Sequence, residues 1–163
     1  MDTDSDEQRP LSEYQREVLI LVGVSIARYQ KIEHMLKILV PNIEPPSTQH
    51  PQAASLDIES LLSAKSTLGM LAQEFRTSVQ TDNQDALEDY LQAIVAHRNE
   101  LIHHFFRMPI GKLKDEEACR RAAEHLRSRL SYADGLLQSL KRLSNKIVVS
   151  WESSSLTSQP DAL

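Results

Sequence analysis

The sequence predicts an all-α protein, an up-and-down bundle of four main long helices. Three observations predict it. The 163 residues include only 4 glycines, alternating runs of β-branched residues are scarce, and apolar residues recur at helical spacing through successive long windows. The first window, from about Ser12 to Val40, carries Tyr14, Val18, Leu21, Val22, Ile26, Tyr29, Ile32, Leu36 and Leu39 along one stripe. Ser12 and Gln15 form a capping pair ahead of it, and Pro41 closes it. The following PNIEPPSTQHPQ holds four prolines and reads as an exposed connection.

A second helix is expected from about Ser55 to Val79, with Leu56, Ile58, Leu61, Leu62, Leu68, Leu71, Ala72 and Phe75 on its apolar side. Gly69 would cost such a helix stability, and a close helix crossing is the usual reason to keep a glycine there. A third helix starts at Asp82 or Asn83, both good N-caps, and runs to Pro109 through Leu87, Leu91, Ile94, Leu101 and Phe105. The fourth, from about Asp115 to Val148, places Cys119, Ala122, Leu126, Ala133, Leu137 and Leu140 near heptad spacing. The domain limits that follow are an acidic flexible tail over 1–11, the bundle over 12–148 and a flexible tail over 149–163. Long helices on a short chain leave apolar surface for a partner, so a two-fold homodimer is expected.

Composition narrows the class of function. No apolar run reaches the roughly 18 residues that span a bilayer, and MDTDSDEQRP is acidic, unlike a secretory leader. No membrane association and a cytoplasmic location are expected. The lone Cys119 can form neither an internal disulfide nor a CxxC clip. Net charge is −5, unevenly spread: residues 1–96 carry 7 Lys/Arg against 15 Asp/Glu, and residues 97–147 carry 11 against 6. The positive part holds Arg98, Arg107, Lys112, Lys114, Arg120, Arg121, Arg127 and Arg129. These make either a solvated helix surface or one facing phosphates.

The positive part opens on HRNELIHHFF, residues 97–106. Its histidines invite a metal, but at about 100° per residue His97, His103 and His104 point to roughly 0°, 240° and 340° around a helix. The single ExxH pair, Glu100 and His103, falls short of a di-iron bundle, which needs two such pairs and two further inward-facing glutamates. No metal and no cofactor are expected. GxSxG, GxGxxG and GxxxxGK[ST] are absent, which leaves metal-free acid-base chemistry. Imidazole titrates near neutrality and guanidinium matches phosphate oxygens. Asn99 and His103 share a helix face at i, i+4, so the amide can orient the imidazole or contact substrate. Arg98 lies about 140° from His103 around a straight helix. Convergence requires arginine's reach, a local distortion or a second copy of the helix.

RNELIH, Arg98 to His103, resembles the Rx4-6H motif of the HEPN superfamily. The position of the motif at the end of the third long helix, and RYQKIEHMLKIL in the first helix, extend the likeness. The resemblance implies a dimeric, metal-independent endoribonuclease with Arg98 and His103 as catalytic residues and Asn99 in support. It also places Glu33 beside the motif as an acidic neighbour. His104, like His97, reads as a helix-end or exposed residue at the margin of the site. RNA is the implied substrate, in a toxin or anti-phage defence role, and an antitoxin or other regulatory protein is an implied partner. The tyrosine that follows the motif as HxY in some HEPN toxins is replaced by Phe105. The competing expectation is a non-catalytic helical bundle that binds RNA, nucleotide or a partner protein.

Overall fold

The computed structural model describes residues 11–43, 58–63 and 65–156, and all regular structure among them is helical. Helix α1 spans Glu13–Leu39, α2 Ile58–Ser63, α3 Leu68–Ser78, α4 Gln84–Asn99 and α5 Glu116–Leu156. Among the described residues no helix is long and apolar enough to cross a membrane.

Helix α1 starts where its capping box predicts. Ser12 Oγ accepts from the Gln15 amide while Gln15 Oε1 accepts from the Ser12 amide, satisfying two donors that the first turn leaves unpaired. Val18, Ser25, Tyr29, Ile32, Leu36 and Leu39 form its buried stripe, spaced by the threes and fours that keep side chains on one helix face. The core joins them to Leu71, Phe75, Leu91, Ile94, Leu126, Leu137 and Leu140 from the other helices. Tyr14, placed on the apolar stripe of this helix by the sequence, is exposed.

The expected second helix is two helices. Leu62 O accepts from Lys37 Nζ at 3.1 Å, so a carbonyl that a continuous helix would give to residue 66 is taken by a side chain. Thr67 then restarts the helix, its hydroxyl accepting from the Met70 amide. Gly69 therefore sits in the first turn of α3, not in a helix interior. It does face a crossing, since a Cβ built there would lie 3.7 Å from Val95 Cγ1 of α4. The residues expected to start this helix before Ile58, and most of the proline-rich connection, lie outside the described residues.

This break changes the topology. Tyr14 meets Glu116, Glu17 meets Arg127 and Arg28 meets Asp134, so residue numbers rise together along α1 and α5. The first and last long helices run parallel, where four alternating helices would have set them antiparallel. Helix α4 opposes both: Tyr90 Oη donates to Tyr132 O at 2.6 Å, whereas Glu100 meets His125. Helix α3 pairs antiparallel with α4 through Arg76 and Glu88 near one end and Gly69 and Val95 near the other. The physical reason is the return of the chain beside α1, where Leu62 touches Lys37, before α3 sets out in the same direction as α1.

Helix α5 continues to Leu156, past the limit of 148 and into the tail expected to be flexible. WESSS contains neither glycine nor proline, so nothing in it stops a helix. Residues 1–10 and 157–163, assigned to the tails, lie outside the described residues.

Between α4 and α5 the backbone is compressed into short turns over Phe105–Arg107 and Pro109–Lys112. Gly111 is buried there against the backbone of Phe105, and a Cβ would lie 1.9 Å from the Phe105 carbonyl oxygen. Leu113 follows with φ 48°, a strained value for a residue with a side chain, and its carbonyl accepts from Gln15 Nε2 at 3.1 Å. Gly111→Ala is expected to destabilise the fold by about 3 kcal/mol, since backbone must move to admit the methyl group. The midpoint of urea unfolding measures this, and a variant as stable as the parent would show that the turn relaxes freely.

Candidate functional site

Arg98 and Asn99 close α4, which ends by widening. Glu100–His104 forms a π-helical turn, hydrogen-bonded from i to i+5 in place of i to i+4. Each such turn holds roughly one more residue than an α-turn. The roughly 140° that separates residues five apart on a regular helix therefore shrinks, and His103 is carried back towards the side of Arg98.

The wide turn is fixed by a polar cluster that sequence reasoning missed. Arg129 Nε donates to Glu100 Oε1 at 2.9 Å and Arg129 Nη2 to Glu100 Oε2 at 2.8 Å. His125 Nε2 lies 2.7 Å from the same carboxylate. The pair is partly buried, with 24% exposure for Arg129 and 26% for Glu100. That places it among bonds to charged groups worth about 1.5–3 kcal/mol. Burial pushes the Glu100 carboxyl up, but the His125 hydrogen bond and the Arg129 charge outweigh it and hold the carboxyl below its usual range. His97 packs edge-on against Tyr132, and burial, with the Arg129 charge beside it, holds its ring below the usual histidine range. Tyr29 sits under the cluster with its hydroxyl buried and unpartnered. Burial pushes that hydroxyl up to about 12. His125 and Arg129 are one turn apart on α5 and Glu100 sits inside the motif, so the only available sequence signal was an i, i+4 pair of basic side chains.

Arg98 Nη1 donates to Asn99 Oδ1 at 3.1 Å, so the contact Asn99 makes is with the guanidinium rather than with His103. Both line a cavity of about 460 Å³ together with Glu33, Lys37, Lys65 and Gly69. Glu33 pairs with Lys37 at 3.3 Å, and Lys37 is itself 8% exposed. The fold therefore brings Arg98, Asn99 and Glu33 to one cavity. His103 and His104 are exposed outside it, their rings 6.1 Å apart between centroids. Neither Arg98 nor His103 hydrogen-bonds the other, and His103 has no hydrogen-bond partner among the described residues.

The cations divide into two groups. Arg120 and Arg121 pair with Glu117, Arg127 with Glu17 and Arg129 with Glu100. Arg98, Arg107, Lys112 and Lys114 have no carboxylate partner among the described residues, and these are the ones that flank the wide turn. Cys119 is buried, and burial raises its thiol above the usual range, the reverse of what a nucleophile needs. Among the described residues no three His, Cys, Asp or Glu side chains converge as metal ligands.

The depressed Glu100 pKa fixes the sign of a pH effect. The carboxylate contributes stability that is present above its unfolded-state value near 4.5 and lost as pH falls through the lower folded value. Glu100→Gln is therefore expected to cost about 2 kcal/mol at pH 7, a deficit that narrows as the pH falls below about 4.5. Urea unfolding of parent and variant between pH 7 and 3 measures it, and a deficit independent of pH would show that the carboxylate charge is not what Arg129 and His125 hold.

No protein family, characterised protein or solved structure matches this chain in comparisons of its sequence and fold.

Proposed function

We propose that the protein is a metal-independent endoribonuclease of the HEPN type, cutting RNA with Arg98 and His103 in a cleft shared by two copies of the chain. The observation that carries this reading is the π-helical turn between the two residues, which reduces their angular separation and leaves the His103 ring open to solvent. Wide turns of this kind are rare and occur frequently at functional sites.

The chemistry uses only these groups. One imidazole removes the 2′-hydroxyl proton, and the freed oxygen attacks the adjacent phosphorus. The Arg98 guanidinium, held by the Asn99 amide, balances charge on the phosphorane. A second acid protonates the departing 5′-oxygen, leaving a 2′,3′-cyclic phosphate and a 5′-hydroxyl. One chain offers a single His103, so the second copy supplies the other proton carrier. Exposed Ile102 and Phe106 flank His103, and Ile20 and Val24 stand exposed on the outer face of α1, giving such a copy apolar surface to cover. Glu33 and His104 stand at the margins, the first across the cavity from Arg98 and the second beside His103. Buried Phe105 occupies the position of the modifiable tyrosine, so control falls to an antitoxin-like protein partner rather than to modification there. A toxin or anti-phage defence role in the cytoplasm follows from the same resemblance.

A second reading, a bundle that binds RNA, nucleotide or a partner protein without cutting, is favoured by the lack of direct contact between Arg98 and His103 within one chain. Incubation with total RNA in EDTA separates the two. Cleavage by the parent is expected, with losses of at least about 100-fold in Arg98→Ala and His103→Ala; equal behaviour of all three proteins refutes the enzyme.

Light scattering is expected to give twice the 18.5 kDa chain mass, and Phe106→Asp to lower both the mass and the cleavage rate. A monomeric parent that cleaves RNA would overturn the shared cleft.

A further inference from the structure

We infer that the cavity between α1, α3 and α4 is a subsite for a phosphate of the RNA strand adjacent to the one being cut, with Lys65 as its contact residue; this rests on the ribonuclease reading. The cavity holds about 460 Å³ and is lined by three cations, Lys37, Lys65 and Arg98, against one carboxylate, Glu33. Lys37 is spent internally, its ammonium shared between Glu33 and the Leu62 carbonyl. Lys65 has no carboxylate partner among the described residues, and the one recorded partner of Arg98 is the neutral Asn99 amide. Two cations without a carboxylate partner thus line one open cavity, Lys65 from the acidic part of the chain and Arg98 from the basic part, which suits an anion.

The surroundings favour a strand over a compact ligand. A second cavity of about 370 Å³, lined by Gln73, Gln92 and the paired Arg76 and Glu88, adjoins the first and shares Gly69, Val95 and Asn99 with it. Arg98 belongs to the first cavity and to the motif, so a strand whose phosphate sits at Lys65 reaches the reacting pair through the residue common to both.

The test is binding of a 2′-O-methyl oligoribonucleotide, which lacks the attacking hydroxyl, by the full chain in fluorescence anisotropy. Lys65→Glu is expected to weaken binding about tenfold and to flatten its salt dependence by about one ion. Lys31→Glu, an equal charge reversal at an exposed position of α1 outside both cavities, is expected to stay within twofold. Lys65 is exposed, so its reversal leaves the core intact, and a thermal melt verifies this. Parental binding by Lys65→Glu, with EDTA-resistant cleavage retained, overturns the subsite and leaves the ribonuclease standing. Lys65-dependent binding of AMP or inorganic phosphate without any effect on the oligonucleotide makes the cavity a pocket for small anions and likewise overturns it. A parent that neither binds nor cuts RNA removes both readings together.

Discussion

The carboxylate of Glu100, clasped by Arg129 and His125, is the contact on which the rest of this architecture turns. It joins the one irregular stretch of α4 to the middle of α5 across a partly buried interface. A π-helical turn is rare and occurs mostly as a single turn within or at the end of an α-helix. Here a bidentate guanidinium fixes both the position and the orientation of the first residue of the turn. Everything beyond that residue inherits its placement: His103 and His104 on the open surface, Phe105 in the core, and the Gly111 turn that folds the chain back to α5.

The cluster also shows how unevenly positive charge is left unpaired in an acidic protein. Of the arginines and lysines after residue 97, those of α5 named above are spent on carboxylates of α1, of α5 itself or of the wide turn. Those around the motif are not. Net charge describes long-range attraction poorly when part of the positive charge is balanced in place, and the cations around Arg98 are among those without a carboxylate partner in the described residues.

Much of the helical framework was legible in the sequence because helices announce themselves through periodicity and caps. Ser12 with Gln15, Asn83, and the stripes of Val18 to Leu39 and Cys119 to Leu140 are local signals that packing then respected. The break before Thr67 was missed because the apolar spacing runs across it, while the side chain that donates to the Leu62 carbonyl there, Lys37, lies 25 residues away. The extension of α5 was missed because a polar, serine-rich run looks like a tail even when nothing in it stops a helix. At the site, spacing identified the problem, namely that Arg98 and His103 diverge on a regular helix. It did not foresee the wide turn between them, because such a turn leaves no composition signature and the residues that contact it come from another helix.

The parallel pairing of α1 with α5 has a consequence in time. Their mutual contacts join segments about 100 residues apart, such as Glu17 with Arg127, so the main pair forms only by closing a long loop, an unusual burden for a helical chain. On the ribosome Glu100 leaves the exit ahead of His125 and Arg129, which lie 25 and 29 residues further along the chain, and until they follow it has neither of the partners that hold it. The motif is complete as sequence before the turn that shapes it can be braced, and a nascent chain passes through a stage in which Arg98 and His103 are present but not yet arranged. For a protein proposed to cut RNA, that delay separates its synthesis from its activity without any added inhibitor.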